Sequence, residues 1–238
     1  MDLKGAMAIV TGASGGIGAA TAARLAAAGS RLALAARNPG RLDRVLQDCA
    51  AAGAEAIALP TDVTCAADVN ALVEAAVARF GRIDVLVNAA GIFATANVVD
   101  QDEGLFDRQI AVNLKSVFLA CRAVLPHLIA RHAGHIVNVL SIAAREVFPG
   151  NAAYCASKWG AFGLTRVLAL EARAHGVRVT AMLPGATDTP IWDAIDWAPD
   201  RSHMMRPDDV ARAILSALTA PSSVNVDEIV MTPPAGIL

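Results

Sequence analysis

Residues 6–18 read AMAIVTGASGGIG, a short apolar run that passes directly into a loop with four glycines. The run has the length of a β-strand, and the small residues after the loop favour a helix. Glycines at such a turn let the backbone approach a pyrophosphate, whose charge is met by free N–H groups at the helix N-terminus. The stretch therefore predicts a dinucleotide-binding turn, with an ordinary glycine turn as the alternative.

The same alternation continues along the chain. Amphipathic segments with the helical period, such as 42–49, 69–80 and 207–219, separate short apolar runs. Besides the first run at 6–10, the strand-length runs lie at 31–36, 55–59, 83–87, 135–140, 177–182 and 226–231. Strand–helix–strand order implies right-handed crossovers. We predict a single α/β domain over residues 1–238: a doubly wound parallel sheet of about seven strands with helices on both faces.

Composition excludes several classes of function. Lysine and arginine number 20 against 22 acidic residues, so no basic surplus favours nucleic acid or a membrane surface. The uncharged stretch 5–23 has the length of a membrane span, but glycines interrupt it. Four cysteines without a CxxC pair indicate free thiols and hence a cytoplasmic protein. His132 and His135 have no acidic or thiol partner nearby, so we predict no metal site.

The end of the second strand bears on cofactor choice. In dinucleotide-binding folds an acidic residue about 20 positions after the glycines binds the ribose hydroxyls. Here Ala36 and Arg37 occupy that place. A guanidinium can bind a 2′-phosphate with charge-assisted hydrogen bonds, which favours NADP(H), with NAD(H) possible. Alternatively, Arg37 is an ordinary solvated residue at a strand end.

Tyr154 and Lys158 form a candidate acid/base pair. They lie one helical turn apart, and a positive charge near a phenol lowers its pKa from about 10. Such a phenol can exchange a proton with an alcohol or carbonyl. Ser141 lies thirteen residues upstream, directly after a strand whose end faces the ligand crevice. A Tyr–Lys pair on a surface helix is the common alternative.

A second chemistry also fits the glycine loop. Residues 12–16, GASGG, match the nucleophile elbow G-x-S-x-G, with Ser14 as the nucleophile. Asp188 and His203 follow in the order that a hydrolase triad needs. The match explains none of the features around Tyr154, so the hydrolase is a minor alternative.

Together these motifs resemble the short-chain dehydrogenase/reductase family, over essentially the whole chain. The family motifs occur in order: TGxxxGIG at 11–18, Asp62-Val63, an NNAG-type segment at 88–91 in which Ala89 replaces the second Asn, Asn113, Ser141, YxxxK at 154–158, and Pro184-Gly185. The resemblance implies a Rossmann fold and hydride transfer between NADP(H) and a carbonyl or secondary alcohol.

The resemblance also implies roles for the four catalytic candidates. Tyr154 would exchange the proton with the substrate oxygen, and Ser141 would hydrogen-bond that oxygen. Lys158 would hold the nicotinamide ribose and lower the pKa of Tyr154, and Asn113 would support a water-mediated proton relay. Asn113 alone could equally be a polar helix position.

Cofactor contacts follow from the same resemblance. Asp62 and the Val63 amide would contact the adenine, residues 88–91 would line the cofactor bed, and Thr187 would bind the carboxamide. The implied set is Gly12, Ser14, Gly16, Ile17, Gly18, Arg37, Asp62, Val63, Asn88, Ala89, Gly91, Tyr154, Lys158, Pro184, Gly185 and Thr187. Taken singly, Asp62 could be a helix cap and Pro184-Gly185 a simple turn.

The substrate region is predicted to be largely apolar. Residues 184–206 form a long irregular segment between a strand and a helix, typical of a substrate-binding loop or lid. Its Trp192 and Trp197, with Ile92, Phe93 and residues 142–148, would surround a small or medium ketone or alcohol. Arg145 and Glu146 could hold a charged substrate group, but we favour the interpretation that they face water.

Three further expectations concern substrate class and assembly. Related 3-oxoacyl carrier-protein reductases usually end in an NVDGG segment, whereas this chain has Asp227-Glu228, so that activity ranks second to a ketone or aldehyde reductase or 3-hydroxy acid dehydrogenase. A catalytically silent cofactor-binding regulator is the remote alternative. The resemblance further suggests a homotetramer or homodimer that assembles through helices near 103–131 and 152–174.

Overall fold

The computed structural model describes residues 1–193, 195 and 198–236. In these residues all strands pair in parallel, in the order β3-β2-β1-β4-β5-β6-β7. The strands are β1 (Met7–Thr11), β2 (Arg31–Ala36), β3 (Ala56–Pro60), β4 (Val85–Asn88), β5 (Gly134–Val139), β6 (Val177–Pro184) and β7 (Glu228–Met231). The doubly wound parallel sheet is confirmed, and each strand boundary lies within two residues of its prediction.

Helices connect the strands on both faces of the sheet. They are α1 (Gly16–Ala27), α2 (Pro39–Ala51), α3 (Ala66–Phe80), α4 (Glu103–Ile110), α5 (Ser116–Ala130), α6 (Ala152–Arg173) and α7 (Pro207–Thr219). A five-residue π-helix, Ala111–Lys115, joins α4 to α5. Helix α7 has the predicted bounds, and it begins at a proline, which suits a first helical position.

The strands are buried on both faces, which explains their nearly continuous apolar sequences. In β1, Ala8 and Val10 pack on the face covered by α1, α2 and α7. Met7 and Ile9 point to the opposite face, which α3, α5 and α6 cover. Alternate residues of one strand therefore build two separate core layers.

The strand order reverses between β1 and β4. After β1 the chain adds β2 and β3 on one side, and it then crosses to place β4 on the other side of β1. Loops leaving the carboxyl ends of β1 and β4 consequently diverge and open a crevice, where ligands bind in sheets of this type. Thr11 and Asn88 are register partners at this point.

One helical stretch, Glu103–Ala130, is long and apolar enough to cross a membrane on length and composition alone. Core helices of soluble proteins meet the same criterion. Here Val117, Val124 and Leu128 are buried in the core layer beneath the sheet. The four cysteines carry free thiols, of which only Cys65 is exposed.

Candidate active site

A cleft of about 560 Å³ opens at the carboxyl ends of the strands. Its volume lies within the range of small-molecule sites. Of the predicted catalytic and cofactor-binding residues, those that line it are Gly12, Ser14, Gly16, Ile17, Arg37, Asp62, Val63, Ala89, Gly91, Ser141, Tyr154, Lys158, Pro184, Gly185 and Thr187. Gly18, Asn88 and Asn113 do not line it, but Gly18 packs on Gly12 and Asn113 bonds to Ile92, both of which do.

The glycine loop packs closely against its neighbours. Gly12 has φ +67°, and a Cβ added to it would lie 2.6 Å from the carbonyl oxygen of Ala89. A Cβ on Gly18 would collide with the Gly12 carbonyl group. Gly12 thus lets the loop after β1 touch the loop after β4, while Gly18 lets α1 begin directly against the loop.

The hydrolase interpretation of Ser14 finds no support in this geometry. Asp188 forms an ion pair with Arg201, with Oδ1 and Nη1 3.1 Å apart. Neither Asp188 nor His203 is among the described residues that line the cleft with Ser14. The three residues therefore do not form a Ser-His-Asp arrangement.

Two arginines line one end of the cleft. Arg37 follows β2, and Arg41 lies in the first turn of α2. Asn38 caps this helix by accepting a hydrogen bond from the Arg41 amide at 2.9 Å. Sequence reasoning missed Arg41; the signal was Asn38-Pro39, a helix start that places Arg41 beside the end of β2.

Asp62 faces the same end of the cleft. Its Oδ1 accepts hydrogen bonds from the Thr64 amide at 2.9 Å and the Thr64 hydroxyl at 2.7 Å. These bonds hold the pKa of Asp62 below its usual value, and the charge of Arg37 lowers it further. Helix α3 is preceded by Cys65, so Asp62 stabilises the turn before that helix rather than capping it.

Asn88 belongs to a buried polar network beneath the cleft. Its Nδ2 donates to Oδ1 of Asn138 at 2.9 Å, and Nδ2 of Asn138 donates to the Thr165 hydroxyl at 2.9 Å. The Thr11 hydroxyl accepts from the amide of Ala89 at 3.2 Å. The network ties the glycine-loop strand to α6, which carries Tyr154.

Asn113 lies in the π-helix, a feature often found at functional sites. Its side chain accepts from the Ile92 amide at 2.9 Å and donates to the Ile92 carbonyl at 3.0 Å. A further bond joins Nδ2 to the Ser157 hydroxyl at 3.1 Å. The buried Asn113 side chain thus fixes Ile92, which lines the cleft; its role in a proton relay stays a prediction.

Ser141, Tyr154 and Lys158 come together in the cleft. Ser141 precedes the turn Ile142–Ala144, and its hydroxyl accepts from the Ala143 amide at 3.1 Å. The side chains of Ser141 and Tyr154 both line the cleft. Burial raises the pKa of Tyr154 to about 12, and the nearby Ser141 hydroxyl offsets part of this rise. Without a ligand, the phenol is therefore a protonated group able to donate.

Lys158 is 4% exposed, and burial lowers the pKa of its ammonium to about 8. In the described part of the chain its hydrogen-bond acceptor is the Val139 carbonyl, 3.4 Å from Nζ. Three N–H donors therefore face one distant acceptor. A ligand rich in hydroxyl oxygens, such as a ribose, fits this unmet hydrogen-bonding capacity.

Aromatic rings form one wall beside Tyr154. The Phe93 ring meets Tyr154 edge to face with centroids 4.7 Å apart, and it meets Trp192 in the same way at 5.4 Å. The Trp192 indole N–H donates to the Thr187 carbonyl at 3.0 Å. The segment 184–206 thus reaches the cleft through its first part; Trp197 lies outside the described residues.

Arg145 and Glu146 are exposed and do not line the cleft. Arg145 forms an ion pair with Glu228 of β7 and lies over the Phe162 ring. Of the predicted wall 142–148, only Ile142, Ala143 and Phe148 line the cleft. The favoured interpretation, that this pair faces water, agrees with the geometry, but the partner of Arg145 was not foreseen.

Comparisons with known proteins agree with this fold. The family model "short chain dehydrogenase" matches residues 6–199. The chain therefore belongs to the short-chain dehydrogenase family, and it is an oxidoreductase. An uncharacterized oxidoreductase of Staphylococcus haemolyticus is 36% identical over 232 residues, which cover 98% of this chain and 99% of the relative. One of Staphylococcus saprophyticus is 38% identical, over 98% and 99% of the two chains.

Two solved structures are similar along nearly their whole length. A metagenomic short-chain oxidoreductase in complex with NADP has a TM-score of 0.86 at 36% identity, over 98% of this chain and 99% of that one. An alcohol dehydrogenase from the archaeon Thermococcus sibiricus, complexed with 5-hydroxy-NADP, has a TM-score of 0.89 at 31% identity, over 96% of each chain.

Proposed function

We propose that this oxidoreductase uses NADP(H) to interconvert a ketone or aldehyde with the corresponding alcohol. The observation that carries the proposal is that Ser141, Tyr154 and Lys158 line one cleft together, with the Lys158 ammonium beside the phenol ring and the glycine loop in the wall of the same cleft. When bound, the nicotinamide supplies or removes the hydride.

The chain's own groups manage the proton. Tyr154 donates its hydroxyl proton to the carbonyl oxygen during reduction, and the Ser141 hydroxyl hydrogen-bonds the same oxygen. Lys158 holds ribose hydroxyls through its free N–H groups, and its charge stabilises the phenolate that remains on Tyr154. In alcohol oxidation the same groups act in reverse.

Arg37 and Arg41 support a preference for NADP(H). Two guanidiniums at one end of the cleft suit a 2′-phosphate, whose charge they would meet with charge-assisted hydrogen bonds. The metagenomic relative and the archaeal alcohol dehydrogenase bind NADP and 5-hydroxy-NADP in their solved structures, which supports this assignment. NAD(H) would lack the group that these arginines bind.

The remaining expectations are part of the same proposal. Residues 184–206 act as a substrate-binding loop, and the mostly apolar wall suits a small or medium ketone. Exposed apolar side chains on α5 and α6, including Phe118, Trp159 and Leu170, favour assembly as a homodimer or homotetramer. The protein acts in the cytoplasm without nucleic-acid or membrane partners.

The proposal is tested by two assays. Oxidation of NADPH is measured with a panel of ketones and aldehydes, and reduction of NADP⁺ is measured with 3-hydroxy acids. We expect turnover with at least one ketone, and a loss of at least about 100-fold in Tyr154→Phe. Cys155→Ala, at the neighbouring position but outside the proton path, is the control. NADPH binding without turnover by any substrate would instead favour a silent cofactor-binding protein.

A further inference from the structure

Asn151 carries a buried oxygen without a partner. It directly precedes α6, a position where an asparagine side chain normally accepts a hydrogen bond from a helix N–H group. Here no such bond forms, and Oδ1 is buried with no hydrogen-bond partner. The residue is 5% exposed. A buried carbonyl oxygen left unpaired is costly, so its retention calls for a reason.

The contact between Asn151 and Pro149 shows which atom of the side-chain amide, the oxygen or the nitrogen, has no partner. Nδ2 of Asn151 donates to the Pro149 carbonyl at 3.3 Å. If the amide were turned over, its oxygen would face that carbonyl oxygen, and two acceptors would repel each other. The unpaired atom is therefore the acceptor, and only a hydrogen-bond donor can satisfy it.

Asn151 lies in the wall of the substrate half of the cleft. It lines the same cleft as Tyr154, which lies three residues further along the chain in the first turn of α6. A backbone bridge to Ala96 and the bond from the Ala96 amide to the Gly150 carbonyl, at 2.8 Å, hold the local backbone. The backbone of Asn151 is thus held next to the helix turn that carries Tyr154.

The other unpaired atoms do not share this position. In the described part of the chain, Gln101 Nε2 and His135 Nδ1 are also buried without partners, but neither residue lines the cleft. Among the described residues that line the cleft, Asp62 alone is acidic, and it lies at the same end as Arg37. No carboxylate therefore accompanies Asn151, which favours a neutral donor over an ammonium group.

We propose that Oδ1 of Asn151 accepts a hydrogen bond from a hydroxyl or neutral N–H group of the substrate, a few bonds from its reacting carbonyl. The inference rests on the proposed function and narrows it: the substrate class is a hydroxy- or amide-bearing ketone rather than a plain one. Asn151 lines the cleft while its Oδ1 is buried, so binding of a donor to this oxygen requires a small movement of the wall. A substrate without the donor leaves the oxygen unpaired, which is how a polar pocket rejects an analogue.

The test compares matched ketones that differ by a hydroxyl in place of a methyl group. The pairs are 4-hydroxy-2-butanone with 2-pentanone and 3′-hydroxyacetophenone with 3′-methylacetophenone, each assayed with NADPH. For at least one pair, the wild type should prefer the hydroxyl compound in kcat/KM by about tenfold or more. Asn151→Leu should reduce that ratio to near one. Asn70→Leu, at an exposed position on α3, is the control.

A helix-capping role predicts a different result. In that case Asn151→Leu lowers the melting temperature but leaves the ratio of the two substrates unchanged, which would overturn the inference. If the leucine variant does not fold, Asn151→Ala replaces it, since the smaller side chain adds no bulk to the wall.

A binding measurement separates this inference from the proposed function. The rise in melting temperature caused by each ketone is measured in the presence of NADP⁺, without turnover. Suppose that no ketone is turned over, but that the hydroxyl compound raises the melting temperature more than its methyl analogue does and that this difference is lost in Asn151→Leu. This result would contradict the proposed function but support the role of Asn151 Oδ1 as a hydrogen-bond acceptor for the ligand. If each ketone raises the melting temperature equally in the wild type and in Asn151→Leu, Asn151 Oδ1 is not the hydrogen-bond acceptor.

Discussion

The ammonium of Lys158 lies 5.6 Å from the centre of the Tyr154 ring. Both groups line the cleft, and burial shifts their pKa values in opposite directions, to about 8 for Lys158 and about 12 for Tyr154. Each shift favours the neutral form of its group, because burial disfavours charge. A ligand that adds hydrogen bonds to the ammonium would therefore restore the charge that Tyr154 needs beside it.

The first prediction concerns the alkaline limb of the pH profile. Lys158 is charged below pH about 8 and neutral above it. We expect kcat/KM for NADPH, which reports on the free enzyme, to fall as the pH rises through this value. In Lys158→Arg the cation persists, so the overall rate is lower but the fall moves to higher pH.

A matched control is available for this profile. Lys115 is exposed in the π-helix and does not line the cleft, so Lys115→Arg should leave the profile unchanged. If the alkaline limb stays at the same pH in Lys158→Arg, its titrating group is not Lys158.

The second prediction concerns cofactor selection at the arginine end of the cleft. Arg37→Ala and Arg41→Ala should each lower kcat/KM for NADPH by about tenfold, because each removes a charge-assisted hydrogen bond to the 2′-phosphate. The value for NADH should change little. Steady-state kinetics with both cofactors measure the ratio.

Arg44 provides the comparison for these variants. It is exposed on α2 but does not line the cleft, so Arg44→Ala should keep the wild-type ratio. If Arg37→Ala loses NADPH selectivity and Arg41→Ala does not, only Arg37 recognises the 2′-phosphate. Equal use of the two cofactors by the wild type would contradict the role of both arginines.

Local patterns predicted the fold and the centre of the site, but not the contacts between distant segments. Tyr154 and Lys158 share a helix, and Ser141 follows a strand, so spacing and the strand-end rule bring them together. The pairing of Arg145 with Glu228 joins residues 83 positions apart, and nothing in either local sequence indicates it. The unpaired oxygen of Asn151 likewise depends on how its neighbours pack, since an asparagine directly before a helix normally caps it.

The third prediction concerns stability at acid pH and a buried histidine far from the cleft. His135 is fully buried, and its Nε2 lies 2.8 Å from the Thr180 hydroxyl, which donates its proton to the Val226 carbonyl at 2.6 Å. Thr180 must therefore accept from Nε2–H, and Nδ1 is left without a partner. Burial, with a contribution from the charge of Arg178, lowers the pKa of His135 to about 3.

Because the folded protein resists protonating His135, the unfolded chain binds the proton first as the pH falls. The stability contributed by neutral His135 is complete above the unfolded pKa of about 6.5, and it is lost between that value and about 3. The free energy of unfolding should fall by up to about 1.4 kcal/mol per pH unit in this window. His135→Gln, which keeps an N–H donor for Thr180, should remove this component from the pH dependence measured by urea unfolding. If wild type and variant show parallel curves between pH 6.5 and 4, His135 is not the group responsible.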